Sequence, residues 1–207
     1  LPIVNVAGAT EIEESAFVAN WKAPSIEPVG YLLTVKQEGV IVGEYDDKEV
    51  GNRTSFNVEG LETNKVYTYT VKAVYAAGTS IASYAAEVTT VAVVQALAAT
   101  EIEENSFIAN WEAPVSSQPT DYLLTVKEGD VVLKDYEDRV IGLVTDYKLE
   151  NLKKNTSYSY TVKAVYGENI AKASAAIEVT TLVPAVKASA AIGVEDNAFV
   201  ANWVAST

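Results

Sequence analysis

Hydrophobic and polar residues alternate with a period of two along most of this chain. Phe17, Ala19 and Trp21 fall on one side of an extended segment, while the residues between them fall on the other. The same alternation continues through residues 67–73, where Tyr, Tyr, Val and Ala alternate with Thr, Thr and Lys. Helical spacing would scatter these residues around a cylinder, whereas a β-strand places every second side chain on one face. The pattern therefore predicts short strands that each have one buried face.

Turn-forming residues separate the alternating runs. Residues 24–30 contain two Pro and one Gly, a Glu-Gly pair stands at positions 38–39, and Gly60 precedes Leu61. In the second half of the chain Gly129-Asp130 replaces the Glu-Gly pair, and a Gly-first pair suits a type II′ hairpin. These signals predict seven strands in the first half, with the same set about 90 residues later: 3–8, 15–21, 31–37, 40–45, 54–58, 66–75 and 84–90.

The chain contains an internal repeat of domain size. The segment 10–21 recurs at 100–111 with few changes, and two further segments recur without change: 31–36 as 122–127, and 69–75 as 160–166. A repeat of this length that contains a full set of strands is a folding unit. We predict one domain over residues 1–91 and a second over 92–183. The junctions between repeats lack Gly- or Ser-rich spacers, which predicts a semi-rigid tandem array.

A third copy begins near Pro184, because residues 190–203 match the start of the other two repeats. Residues 184–207 supply only two strands of that copy, and an isolated hairpin is marginal in water. Two explanations remain open for the uncovered apolar face of Phe199, Ala201 and Trp203. Either the rest of a third domain has been cut away or is disordered, or residues 184–207 mediate self-association by strand pairing with another chain. The break directly after the second strand favours the first.

Composition and charge exclude several classes of function. The chain has no Cys and no His, which removes thiolate nucleophiles, His bases and almost all zinc, copper or haem sites. Its formal charge is −13, and neither repeat is basic, so nucleic acids and anionic membrane surfaces are not expected partners. The longest nearly apolar stretch, residues 91–99, is far shorter than the ~20 residues of a membrane span, so membrane insertion is not expected.

The order of aromatic residues resembles the fibronectin type III family. A Trp on the second strand, a Tyr opening the third, and a Leu followed six residues later by a Tyr occur twice, as Trp21, Tyr31, Leu61 and Tyr67 and as Trp111, Tyr122, Leu152 and Tyr158. The resemblance implies an all-β fold of tandem immunoglobulin-like, seven-stranded antiparallel sandwiches. It also implies that Tyr67 and Tyr158 form tyrosine corners, in which the hydroxyl bonds to nearby backbone.

The phrase Phe-x-Ala-Asn-Trp occurs three times, at residues 17–21, 107–111 and 199–203. It resembles modules of secreted and surface proteins of Bacteroidetes-type bacteria, which implies a location outside the cytosol, extracellular or at the cell surface. The Arg-Gly-Asp tripeptide of some animal relatives is absent, so that mode of cell attachment is not implied.

Six Tyr in each repeat raise the question of surface recognition, because a row of aromatics can stack on sugar rings. Most of these aromatics, however, fall at inward positions of predicted strands, where packing explains them. Core packing is expected for Trp21, Tyr31, Phe56, Tyr67 and Tyr69. The candidate surface-recognition residues are those toward strand ends or loops, namely Tyr75, Tyr84 and Tyr166.

Two matching acidic clusters follow the predicted fourth strand, at residues 46–49 and 135–138. Neither has the alternating D-x-D-x-D-G pattern of an EF-hand, and carboxylates on a sandwich rim offer no cleft for glycoside hydrolysis. A solvated loop is the favoured interpretation. We therefore expect no metal, no cofactor and no catalytic residue.

Two functions remain open. The first is a non-catalytic extracellular scaffold or cell-adhesion segment of a bacterial surface or secreted protein. The alternative is an accessory spacer or carbohydrate-binding module attached to a secreted hydrolase. In either case the expected partner is an unidentified protein or glycan at the cell surface.

Overall fold

A computed structural model describes residues 1–204, so the last three residues of the range 184–207 lie outside the described part. Over residues 1–204 the chain forms twenty β-strands and one 3-10 turn, Lys134–Tyr136. The first repeat contains β1 (Asn5–Thr10), β2 (Phe17–Lys22), β3 (Gly30–Gln37), β4 (Val40–Ile41), β5 (Lys48–Gly51), β6 (Ser55–Val58), β7 (Val66–Tyr75), β8 (Gly78–Thr79) and β9 (Ala86–Thr89). The second contains β10 (Gln95–Thr100), β11 (Phe107–Glu112), β12 (Asp121–Glu128), β13 (Val131–Val132), β14 (Arg139–Val140), β15 (Asp146–Leu149), β16 (Ser157–Tyr166), β17 (Asn169–Ile170) and β18 (Ile177–Thr180). The start of the third contains β19 (Lys187–Ile192) and β20 (Val200–Val204).

Each repeat folds as two antiparallel sheets. In the first repeat one sheet has the order β1-β2-β6, and the other has the order β4-β3-β7-β8, with β5 also paired to β3 and β9 also paired to β7. The second repeat has the same arrangement, β10-β11-β15 and β13-β12-β16-β17, with β14 on β12 and β18 on β16. The all-β sandwich architecture predicted from the sequence is therefore confirmed in both repeats.

Two pairing segments in each repeat were not expected from the sequence. In the first they are β5 and β8, which pair with the longer strands β3 and β7. The expected fourth strand, residues 40–45, pairs only at Val40–Ile41, because the chain then turns so that Tyr45 enters the core and its amide binds the carbonyl of Val42 at 3.0 Å. Part of the acidic cluster predicted as a loop, Glu49, consequently lies in β5.

The predicted alternation places the aromatic residues in the core. Along β2 and β7 every second side chain is buried, and Trp21 packs edge-on against Tyr31 with ring centroids 5.5 Å apart. Trp111 and Tyr122 repeat this contact at 5.8 Å. Phe56 is the exception, since β6 is the last strand of its sheet. Its half-buried ring lies under the cations of Lys48 and Arg53.

The turns between long strands follow the local sequence. Glu38 and Gly39 both have positive φ, 50° and 82°, the signs of a type I′ turn. In the second repeat only Gly129 of the Gly129-Asp130 pair has positive φ, 57°, as a type II′ turn requires. Both turns join strands in the same register, because Gln37 faces Val40 and Glu128 faces Val131.

The strands β19 and β20 form a hairpin without a second sheet. They pair in the register of β1 and β2, with an irregularity at the same place. Trp203 is 67% exposed, whereas the equivalent Trp21 is 3% exposed. The hairpin therefore has the local geometry of a domain start but none of the packing that covers the equivalent apolar face elsewhere.

Candidate functional site

The three candidate surface tyrosines occupy different environments. Tyr75 is the last buried position of β7, and its hydroxyl donates to the carbonyl of Pro2 at 3.2 Å. Tyr166 is half-buried at the end of β16, and its hydroxyl donates to the carbonyl of Ala92 at 2.8 Å. Both therefore attach the first residues of a repeat to its longest strand. Tyr84 is 92% exposed.

A recognition role stays a prediction for all three tyrosines, of which Tyr84 offers the most surface and Tyr75, 7% exposed, the least. Burial raises the pKa of Tyr166 to about 12, with a further contribution from the negative charge of Glu14. The phenol thus stays protonated and keeps its hydrogen bond to the backbone. The sequence did carry a signal for the position of Tyr75, because Tyr67, Tyr69, Val71 and Ala73 continue to it in steps of two.

The two acidic clusters form matching ion pairs on the sheet surface. Asp47 accepts hydrogen bonds from the hydroxyl of Thr34 at 3.0 Å and from Lys72 at 2.6 Å. The bond from Lys72 is the main reason why the pKa of Asp47 lies below its usual range. In the second repeat Asp138 bonds in the same way to Thr125 and Lys163. These carboxylates connect strands, and each is held by a neighbouring lysine.

Within residues 1–204 no three carboxylates come together in a way that could hold a metal ion. Burial is the main reason why the pKa is raised in six tyrosines, Tyr31, Tyr69, Tyr122, Tyr136, Tyr160 and Tyr166. A raised pKa disfavours the phenolate, so none of these six phenols is activated as a nucleophile.

The first two repeats meet in a direct contact between the β1–β2 turn of the first and the β17 hairpin of the second. Ile12 and Ala171 form a parallel bridge, and the amide of Lys172 donates to the carbonyl of Ile12 at 2.8 Å. The ammonium of Lys172 binds the carboxylate of Glu13 at 2.6 Å. Ile12 is only 3% exposed, so this contact covers an apolar side chain and adds both a backbone hydrogen bond and an ion pair.

A second contact strengthens the same junction. The side-chain amide of Asn64 donates to the carbonyl of Ser116, and its oxygen accepts from the hydroxyl of Ser117. Between the repeats an open cleft of about 440 Å³ is lined by charged side chains, by Ile12 and Ile170 and by small or neutral residues, with no aromatic ring among them. The cleft therefore offers no face on which a sugar could stack.

The profile of the fibronectin type III domain matches residues 2–89 and again residues 92–180. This chain belongs to the fibronectin type III family. Fibronectin type III domains are commonly non-catalytic adhesion or scaffold modules, they often mediate protein interactions, and they are typical of extracellular or surface proteins.

Solved structures of tandem fibronectin type III domains resemble this chain at low identity. The crystal structure of chicken CNTN1 FN1-FN3 domains is 17% identical with a TM-score of 0.46, and the match covers 86% of this chain and 63% of that one. A two-domain segment from chicken tenascin is 20% identical with a TM-score of 0.38, and the match covers 86% of this chain and 98% of that one. Over residues 1–204 no helix is long and apolar enough to cross a membrane.

The resemblance to fibronectin type III domains correctly implied the tyrosine corners. The hydroxyl of Tyr67 accepts from the amide of Glu62 at 2.9 Å, and Tyr158 accepts from Lys153 at the same distance. The sequence interpretation did not identify a role for the Asn of the Phe-x-Ala-Asn-Trp phrase, which alternation places on the outer face. Its position in all three copies was the available signal.

That Asn holds the irregular first strand of each fibronectin type III domain. The side-chain amide of Asn20 donates to the carbonyl of Gly8 at 3.1 Å and to the hydroxyl of Thr10 at 3.0 Å, across the point where the β1–β2 register shifts. Asn110 makes the equivalent bonds, and Asn202 bonds the carbonyl of Ala190 at 3.0 Å. A polar residue on an exposed face is therefore structural here.

Proposed function

We propose that this chain is a non-catalytic scaffold or adhesion segment of a bacterial surface or secreted protein, located outside the cytosol. The observation that carries the proposal is the direct junction between its fibronectin type III domains. The Phe-x-Ala-Asn-Trp phrase, which resembles modules of Bacteroidetes-type surface proteins, supports the bacterial setting.

The junction suits a spacer that keeps its domains in a fixed relation. Domains joined by flexible linkers move independently, whereas the Ile12 bridge, the Glu13–Lys172 ion pair and the Asn64 contacts restrain both bending and twisting. A stiff spacer places a binding domain at a defined distance from its anchor, which is the property that a scaffold or adhesion protein needs.

Small-angle X-ray scattering tests the stiffness. The control variant carries a four-residue insertion, Gly-Ser-Gly-Ser, between Thr90 and Val91. The insertion separates the domains by a flexible linker. We expect the unmodified chain to show one sharply defined maximum dimension and the variant to show a broader distribution of distances. If the two distance distributions coincide, the junction does not restrain the domains and the scaffold proposal loses its support.

The non-catalytic part of the proposal is tested separately. We expect no turnover of glycoside, ester or peptide substrates, and no change in melting temperature on addition of Ca²⁺ or a chelator. Turnover that disappears in Asp47→Asn or Asp138→Asn, two variants that alter the carboxylates of the acidic clusters, would contradict the proposal.

The alternative, an accessory carbohydrate-binding or spacer module beside a hydrolase, is favoured by one residue. Tyr84 exposes almost its whole ring and is thus available to stack on a sugar. A glycan array with the unmodified chain and Tyr84→Ala tests it, with Val115→Ala as a control that alters another exposed side chain. Binding that is lost only in Tyr84→Ala supports the alternative, and absence of binding argues against it.

Self-association through residues 184–207 is part of the partner proposal. The exposed apolar side chains of β20 and the unpaired edges of β19 and β20 suit strand addition. Light scattering on the chain with and without residues 184–207 decides it. A larger mass only for the longer chain supports association, and two monomer masses exclude it in solution.

A further inference from the structure

The contact surface that the first domain presents to the second is formed by three residues that recur in the second domain. Ile12, Glu13 and Asn64 correspond to Ile102, Glu103 and Asn155. The two turns that carry the Ile-Glu pairs share a backbone hydrogen bond. The amide of Glu13 bonds to the carbonyl of Ala16 at 2.8 Å, and that of Glu103 bonds to the carbonyl of Ser106 at 2.9 Å.

The following chain leaves both domains in the same way. The amide of Val91 donates to the carbonyl of Glu13 at 3.1 Å, and the amide of Leu182 donates to the carbonyl of Glu103 at 2.9 Å. The segment after each domain is therefore tied to the same turn, and the first strand of the next domain begins four positions after Val91 and five positions after Leu182.

In the second domain this surface is present but uncovered. Ile102 is half-buried, whereas Ile12 is almost fully buried. Glu103 is exposed and accepts a bond from its neighbour Ser106 at 2.7 Å, whereas Glu13 binds a lysine of the next domain. The side chain of Asn155 makes no hydrogen bond within the part of the chain that the structure describes. The second domain thus has the same contact residues as the first domain, but no hairpin of a following domain covers them within residues 1–204.

We infer that Ile102, Glu103 and Asn155 form a docking surface for the β-hairpin of a following fibronectin type III domain, the domain that residues 184–204 begin. The occupant is a hairpin with a small residue followed by a lysine, in the places of Ala171 and Lys172. The small residue bridges to Ile102, the lysine amide donates to the carbonyl of Ile102, and its ammonium binds Glu103. This inference rests on the proposed scaffold function, and it identifies the partner of one surface of the second domain.

A second copy of this chain does not supply that hairpin. The equivalent hairpin of the first domain has Ser80 and Ile81 in the places of Ala171 and Lys172, so it lacks the cation. The hairpin of the second domain has the cation, but Lys172 is already bound to Glu13 within the same chain. The matched contact is therefore directional, from one domain to the next along a chain.

Disulfide trapping tests the inference, because the chain contains no Cys. The chain is extended after Val204 with residues 113–183 of its own sequence, which completes a third domain that has the hairpin of the second. Cys is then introduced at Ile102 and at the alanine that repeats Ala171 in the added segment. The Ile12→Cys, Ala171→Cys chain is the positive control, since bridged residues lie within the reach of a disulfide.

We expect the Ile102 pair to close as fast as the positive control, and at least about tenfold faster than a pair in which Glu101→Cys replaces Ile102→Cys, because adjacent residues point in different directions. The inference is overturned if the Ile102 pair closes no faster than the Glu101 pair while the positive control closes. It is also overturned if the unextended chain with Ile102→Cys and Ser80→Cys forms cross-linked dimers at the rate of the positive control, because a second copy is then the occupant.

A second extension guards against failure of the first to fold. It uses residues 23–91 with Ser80→Ala and Ile81→Lys. Trp21 and Trp111 are already buried, so a shift of the tryptophan fluorescence to shorter wavelength reports that Trp203 has become buried and the third domain has closed. Rapid closure of the Ile102 pair is expected here too, and slow closure in a chain whose Trp203 is buried overturns the inference. Failure of this docking leaves the scattering result on the first junction unchanged, so the two proposals fail separately.

Discussion

The hydroxyl of Tyr67 accepts a hydrogen bond from the backbone amide of Glu62, 2.9 Å away. Tyr67 is fully buried, so the bond fixes the loop before β7 to the core of the first domain. Tyr67→Phe removes the acceptor and leaves a part-buried amide without it, which costs about 1–3 kcal/mol of unfolding free energy. Urea unfolding measures the loss. Tyr84→Phe, which alters an exposed ring, should leave the curve unchanged, and equal effects of the two variants would contradict a structural role for the bond.

Trp21, Trp111 and Trp203 hold the same place in the repeated Phe-x-Ala-Asn-Trp phrase but differ in burial, so substitutions at them test the effect of packing in the same local sequence. Trp21→Ala removes a side chain that is 3% exposed and should destabilise the first domain by about 3–5 kcal/mol. That is a large part of the ~5–15 kcal/mol of a typical domain. Trp203→Ala alters the same phrase in the uncovered hairpin and should leave the melting of both complete domains unchanged. Comparable losses from both variants would mean that Trp203 packs against something in solution.

The Asn of each repeat should stabilise its domain although it lies on the outer face. Asn110→Ala removes the bonds to Ala98 and Thr100 that hold the shifted register of β10, and because both bonds are exposed to water we expect a loss of about 0.5–1.5 kcal/mol. The control is Asn202→Ala in the hairpin, which should not change the thermal unfolding of the second domain. An Asn110→Ala chain that melts like the unmodified one would show that the register shift needs no side-chain support.

The low pKa of Asp47 predicts a small loss of stability in acid. A carboxyl whose folded pKa is depressed contributes stability that is complete above its unfolded pKa of about 3.9 and is lost as the pH falls through the folded value. The pair with Lys72 is partly exposed, so its contribution is about 0.5 kcal/mol. Asp47→Asn should lower the melting temperature slightly at pH 7 and flatten its fall below pH 4, whereas Asp46→Asn should leave the melting temperature at pH 7 unchanged.

Residues that follow the two-residue period could be placed from the sequence. The alternation located the core faces of β2 and β7, since burial and sequence pattern coincide when one face of a strand is covered. It could not find β5 and β8, which are too short to show a period and gain their pairing from longer neighbours. Tertiary context, not local pattern, forms these strands.

The junction could not be predicted for a different reason. Glu13 and Lys172 are 159 positions apart, and neither differs in type from the other exposed charges of its loop. Their contact depends on the angle between the two domains. That angle is set by the tertiary structure of both domains together and cannot be read from one segment of the sequence. Ile12 carries a weak signal, as an apolar residue in an acidic turn, and the structure shows what covers it.

The identical central segments of β3 and β12, and of β7 and β16, have a consequence for how the chain reaches its fold. Tyr31 faces Ala73 across β3 and β7, and Tyr122 faces Ala164 across β12 and β16, in strands whose central sequences are the same. In a fully denatured chain β3 therefore finds two partners that match it equally well, one of them in the wrong domain, and exchange of strands between neighbours is the characteristic error of such arrays. Synthesis from the N-terminus reduces the ambiguity, because β7 leaves the ribosome before β16. Proximity along the chain and the order of emergence, rather than the sequence of the strands, therefore favour the correct pairing.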